Sequence, residues 1–262
     1  MDVDTDRTRH VLVDLGFAVR RTEDGGGVHG SAEIVPEMWV PGTTSLRTSI
    51  LATWVDHVAG LAAIGVLAPR VPVTLELDVH VYDRAPSDGD VHALARVLKA
   101  GRTVVVCGVD VTDRDGEPVA IGTASFMAAP TPGLELPPEV VSLDTVRLPA
   151  GRLSVPFAER AGCEVREPGV AMLPRTEESL NASRSVNGGL IALAVEEAAL
   201  SLTPGATLST MAVRFLAPVR TGPAVATAEV RAGLGRVEVR DAGKDDRPAV
   251  LGTTRTTATH AV

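Results

Sequence analysis

Aromatic side chains are scarce: four Phe, two Trp and one Tyr in 262 residues, 3% of the chain. Base-stacking platforms for single-stranded nucleic acid are therefore few. A net charge of −8 without any Lys/Arg run also lacks the electrostatic footprint of a nucleic-acid binder. Cysteine is rarer still. Cys107 and Cys163 stand neither in a CxxC pair nor beside clustered histidines, which points to a reducing compartment, two small buried hydrophobes and no structural zinc. No uninterrupted apolar run reaches the ~18 residues of a membrane span, and MDVDTDRTRH has neither the basic start nor the apolar block of a secretory signal. No membrane association is expected, and the cytoplasm is the expected location. GxSxG, HExxH and P-loop motifs are missing as well, against a serine hydrolase, a zinc protease or a nucleotide hydrolase. GGGVHG at 25–30 satisfies GxGxxG on paper. A strand-like SAEIVPEMW with Pro36 follows it instead of a helix, so a hairpin turn is predicted there.

What is present is ample core material, 45% hydrophobic residues, arranged as a repeat. Each half opens on a short segment ending in glycine, at Gly16 and at Gly162. Strand-like residues follow, then a mostly apolar helical run: SLRTSILATWVDHVAGLAAIGVL closed by Pro69, and VNGGLIALAVEEAALSL closed by Pro204. Extended segments come next, TLELDVHVYDRAP and TLSTMAVRFLAP, then β-rich stretches with a Gly-Arg turn, and finally AIGTASF and VLGTTRT. The reading is α+β: one helix followed by several long antiparallel strands, twice. The predicted boundaries are an N-terminal unit at 1–130, a Pro-rich linker at 131–150 and a C-terminal unit at 151–262. Joining two such sheets edge to edge would bury an exposed edge of each.

The second helical run carries Glu196 and Glu197 in its middle, where an unpaired charge is expensive. Eight residues earlier stands Asn187-Gly188-Gly189, and Asn181 precedes that by six. This spacing resembles the hotdog-fold acyl-CoA thioesterases of the phenylacetate-pathway type, in a fused double-hotdog arrangement. Their mark is Asn, five residues, His-Gly-Gly, then an acid about two turns into the helix. Asn187 stands where that family usually has His. Shifted by 140 residues, the first half offers Asp56 as the acid, but Arg47-Thr48-Ser49 in place of His-Gly-Gly and Pro41 in place of Asn. The resemblance implies a tandem hotdog fold, each half a long curved antiparallel sheet wrapped around a central helix. It also implies hydrolysis of an acyl-CoA or similar thioester without a cofactor, coenzyme A entering only as part of the substrate. Hotdog units often stack further, so a homo-oligomer of double-hotdog units is compatible with the resemblance, and oligomeric state stays open.

Gly188 and Glu196 lie about 12 Å apart along one helix at roughly 1.5 Å per residue, too far to serve one carbonyl. The acid serving Gly188 should therefore come from the other half. One composite site would pair Asp56, as general base or nucleophile, with Asn181, Asn187 and the Gly188 N–H, while Gly189 and Thr53 make room for substrate. Thr74, eighteen residues past Asp56, falls where the family often has a Ser or Thr near the catalytic water. The other site would pair Glu196 with Arg47 and Thr48 and looks degenerate, because Arg47 should bind Glu196 as an ion pair. Glu197, about 100° further round the helix, is expected to be solvated or loop-contacting. His57 points a similar angle away from Asp56 and reads as a polar-rim residue. Met38, Trp39 and Trp54 are candidates for lining an acyl tunnel. Two rival readings stand beside hydrolysis: a non-catalytic acyl-CoA binding or regulatory protein, since His-Gly-Gly is incomplete, and a hotdog enoyl-CoA hydratase, whose acid and histidine spacing the adjacent Asp56-His57 does not reproduce.

Overall fold

Gly16 and Gly162 adopt φ of +63° and +65° and end two short helical segments, Val11–Leu15 and α2 (Phe157–Ala161). That left-handed turn costs glycine little, which is why each half opens on one. The computed structural model describes residues 10–83, 86–138 and 151–258. The N-terminal stretch read for a signal, positions 84–85 of the first extended segment, and residues 139–150 of the linker lie outside these.

The first half runs β1 (Ala18–Arg21), β2 (Gly27–Glu33), α1 (Thr48–Leu67), β3 (Pro72–Val81), β4 (Asp90–Ala100), β5 (Val105–Asp113) and β6 (Pro118–Ala128). After α2 the second half repeats it: β7 (Glu164–Glu167), β8 (Val170–Leu173), α3 (Gly188–Ser201), β9 (Ala206–Phe215), β10 (Ala224–Arg231), β11 (Leu234–Asp241) and β12 (Arg247–Ala258). The twelve strands form one sheet in the order β1-β2-β4-β5-β6-β3-β9-β12-β11-β10-β8-β7. This is the tandem hotdog architecture. The residues of GGGVHG fall in the turn and strand of the antiparallel β1–β2 pair.

The two halves meet at β3 and β9, antiparallel from Glu76↔Arg214 to His80↔Thr210. Arg214 bridges the seam on one face, reaching Asp78 at 2.5 Å and Glu76 at 3.2 Å. Both helices pack against the strands of the sheet and are apolar around most of their circumference, as buried helices are. By length and composition α1 is apolar enough to cross a membrane, but 67% of that window is buried inside the protein. The sheet closes tightly on the helices at two matched glycines: a Cβ on Gly122 would sit 2.5 Å from Val55, and one on Gly252 would sit 3.0 Å from Val195. Most of the core is one cluster shared by both halves.

Of the linker, Leu136 hydrogen-bonds the Pro69 carbonyl and packs with Ile64 and Val71 beyond the end of α1. Leu153 enters the main core.

Candidate active site

The helices touch where one starts and the other is midway along. Gly189 packs on Thr53 so closely that a Cβ there would lie 2.3 Å from the Thr53 Oγ1, and Thr53 is only 4% exposed. This crossing puts the start of α3 beside Asp56 and the start of α1 beside Glu196, two corresponding junctions between the halves.

In the first, a Cβ on Gly188 would stand 3.4 Å from Asp56 Oδ2 and 3.2 Å from the Phe215 ring. Asn187 caps α3, its Oδ1 accepting from the Gly189 N–H at 2.8 Å, while its carbonyl accepts from Leu190 and Ile191. The Gly188 N–H has no acceptor among the described residues and keeps the positive end of the helix dipole. Thr74 Oγ1 donates to Asp56 Oδ1 at 2.8 Å. Burial pushes the Asp56 carboxyl up to about 6, with the Thr74 hydrogen bond pulling the other way. A carboxylate of that kind is basic enough to take a proton from water near neutral pH.

Thr74 reaches Asp56 because β3 carries a bulge between Thr74 and Glu76. A matching irregularity in β9 falls just after Leu208. Aligning Gly122 with Gly252, through their partners Val79 and Val213, makes Leu208 the counterpart of Thr74. It lies twelve residues past Glu196 instead of eighteen, because α1 has 20 residues and α3 has 14. Leucine has no hydroxyl to offer Glu196.

In the second site the glutamate, one methylene longer, closes the gap. Glu196 Oε1 accepts from the N–H groups of Thr48 (2.9 Å) and Ser49 (3.2 Å), and Oε2 accepts from the Ser49 hydroxyl (2.6 Å) and Arg47 Nη1 (3.1 Å). Thr48 Oγ1 is turned away to the Leu208 carbonyl. Neither Arg47 nor Glu196 has any exposed side chain. Every N–H in the first turn of α1 is thereby satisfied, since Ile50 and Leu51 bond the Arg47 carbonyl. Of the two alternatives the sequence left for Glu197, solvated or loop-contacting, the structure shows the second: its side chain, 16% exposed, meets Nη1 of Arg47, the residue just before α1, at 2.6 Å. Its position on the helix indicates direction, but not the reach of the arginine that precedes the facing helix.

Asn181 holds the loop before α3, its Oδ1 accepting from the backbone and hydroxyl groups of both Ser183 and Ser185. No hydrogen bond joins it to Asp56 among the described residues. Met38 and Trp54 are buried in the core, Trp54 stacked on Phe17 at 5.3 Å, and Trp39 Nε1 donates to the Ser87 carbonyl. Ser49 and Phe215 were not singled out from the sequence. Ser49 stands in the Arg-Thr-Ser triplet, and Phe215 ends the strand whose partner carries Thr74. Among the described residues, no cluster of three or more His, Cys, Asp or Glu is placed to hold a metal.

A family model described as the thioesterase superfamily matches residues 49–120, the stretch that carries Asp56 and Thr74. A protein of Halobacterium salinarum that bears the name esterase is 33% identical over 93 residues, 33% of this chain. The match spans 62% of that relative's length. An acyl-ACP thioesterase from Bacteroides thetaiotaomicron superposes with a TM-score of 0.62 at 14% identity, over 90% of this chain and 100% of its own. The tesB protein of Mycobacterium avium subspecies paratuberculosis gives 0.62 at 14% identity, over 95% and 98%. At such identities these likenesses establish the fold alone.

Proposed function

We propose that the protein is a hydrolase of acyl-CoA or a similar acyl thioester, with its working site between α1 of the first half and α3 of the second. The observation that carries this reading is the approach of Asp56 Oδ2 to 3.4 Å from a Cβ position on Gly188, beside an N–H that has no acceptor among the described residues. Placed there, a thioester carbonyl oxygen accepts from the Gly188 N–H while Asp56 takes a proton from water, whose oxygen bonds to the carbonyl carbon. The carbon–sulfur bond then breaks, and the thiolate takes up the proton to leave as free thiol beside the carboxylic acid. In the alternative route the Asp56 carboxylate attacks the carbonyl carbon itself and expels the thiolate. Water then hydrolyses the anhydride, giving the carboxylic acid and the freed Asp56 carboxylate, and the water's remaining proton goes to the thiolate to give the free thiol. Thr74 orients the carboxylate, and the Asn181 amide is assigned to the thioester or the water. Neither route calls for a metal or an organic cofactor. A cytoplasmic location belongs to this reading, supported by two free, buried cysteines.

The test is thiol release from a chain-length panel of acyl-CoAs and acyl-ACPs. Turnover that disappears in Asp56→Asn supports the proposal. Tight binding of an acyl-CoA with no thiol release would replace it with the non-catalytic sensor.

A further inference from the structure

An oxyanion is best held by two donors, and the start of α3 supplies only one: the Gly189 N–H is occupied by Asn187 Oδ1, leaving that of Gly188. A second donor must come from a side chain. His57 has a buried Nε2 without any hydrogen-bond partner, a condition that costs on the order of 1–3 kcal/mol. Its ring meets Phe17 edge-on at 6.0 Å. Burial holds the imidazole down to about 4, so it is neutral near pH 7 and one of its nitrogens carries a proton.

The second composite site indicates where this nitrogen lies. The 140-residue relation that carries Asp56 onto Glu196 carries His57 onto Glu197 and Asn187 onto Arg47. There the Glu196 carboxylate fills the oxyanion position against the Thr48 N–H, and Arg47 Nη1 touches both that carboxylate, at 3.1 Å, and Glu197, at 2.6 Å. The Glu197 head group thus stands one guanidinium nitrogen from Glu196 Oε2, the other oxygen of the carboxylate whose Oε1 fills the oxyanion position. In the first site Asn187 is shorter than arginine and its oxygen is turned back to Gly189, so no guanidinium occupies the space that Arg47 fills in the second.

We infer that His57 is a further catalytic residue of this site, its Nε2–H donating to the thioester carbonyl oxygen together with the Gly188 N–H. The inference rests on the proposed hydrolase. Like an oxyanion donor elsewhere, His57 acts most strongly when charge develops on that oxygen, so its removal lowers kcat more than it raises KM.

Two measurements test it. On the wild-type protein, a CoA ketone analogue, with a methylene inserted between sulfur and carbonyl, is titrated while the imidazole 15N resonances are followed, the His57 signal being identified from its loss in His57→Gln. A shift of the His57 Nε2 signal on binding is expected, and an unmoved signal in the saturated complex overturns the inference. His57→Leu, which removes the buried unpartnered nitrogen, is expected to melt no lower than wild type and to lose about 10²-fold in kcat with KM changed less than threefold. His57→Gln, which keeps an N–H donor, is expected to retain more of kcat. A kcat for His57→Leu within twofold of wild type overturns the inference, and if that variant does not fold, the wild-type titration decides. Absence of turnover in the wild type would count against the hydrolase itself, whereas these two failures leave wild-type turnover intact.

Discussion

Arg47 and Glu196 lie 149 residues apart in the chain and meet at 3.1 Å with no solvent on either side chain. A buried pair of this kind needs hydrogen bonds beyond its Coulomb attraction to offset desolvation. The glutamate is well served, whereas Arg47 Nε and Nη2 have no hydrogen-bond partner among the described residues. Here Glu196 receives four donors, two from the backbone of the facing helix. The pair occupies the N–H groups at the start of α1. On the proposed hydrolase reading only the other helix start takes substrate, and the two acids answer differently to substitution.

Glu196→Gln should damage the fold and spare the chemistry. It leaves Arg47 with Glu197 alone and replaces an acceptor of two backbone N–H bonds by an amide, so a loss of roughly 3 kcal/mol is expected in chemical denaturation. Specific activity per folded molecule should stay within a few fold of wild type. Thiol release that falls as steeply as in Asp56→Asn would show that both sites work.

Asp56→Asn should do the reverse. Turnover is expected to drop by about 10²- to 10⁴-fold. Burial raises the folded-state value of this carboxyl to about 6, above an unfolded value of about 3.9. Between those values the folded protein binds more protons, so Asp56 makes stability fall as pH rises through about 6, by up to roughly 3 kcal/mol. The variant should therefore melt above wild type at pH 8 and level with it near pH 4. Thermal melts at the two pH values check the sign.

Thr74→Val removes the hydroxyl that favours the charged carboxylate. Wild-type kcat/KM is expected to rise with pH through about 6 as Asp56 ionises. In the variant this limb should move to higher pH, with turnover at pH 7 reduced about tenfold. Thr74→Ser should restore the wild-type profile. An unchanged limb in Thr74→Val would separate the hydroxyl from the acid.

The two neighbouring glycines should part company when each is changed to alanine. At Gly188 the new methyl meets Phe215 at 3.2 Å and Asp56 at 3.4 Å. It stands in front of the free N–H while favouring helix, so melting should be unchanged or raised and activity should fall at least tenfold. At Gly189 the methyl would lie 2.3 Å from Thr53 Oγ1. The helices must then separate, at about 1–3 kcal/mol. Melting curves and thiol release on both variants distinguish the two.

Much of this arrangement could be read from residue order. The glycine-ended openings, the paired helices and the offset of 140 between Asp56 and Glu196 are local or periodic signals, and the argument that one helix cannot supply both acid and oxyanion donor needs only helical rise. The Arg47–Glu196 pair followed from the same offset. What escaped depends on distances across the crossing. Thr53 and Gly189, both small, were read as room for substrate, yet smallness also lets two helices come together, and they touch each other. The unequal lengths of α1 and α3 hid the correspondence of Thr74 with Leu208, which appears only when both bulges are aligned on the sheet.

The β3–β9 seam has a consequence for how the protein behaves at low concentration. In an assembly of separate subunits, mass action would dissolve a site built from two chains on dilution. Here the partners are tethered and continuously hydrogen-bonded through one sheet, so specific activity should be independent of protein concentration down to the detection limit. The same tether frees each module from having to match an identical copy of itself, which is the physical licence for one helix start to be plugged while the other stays open.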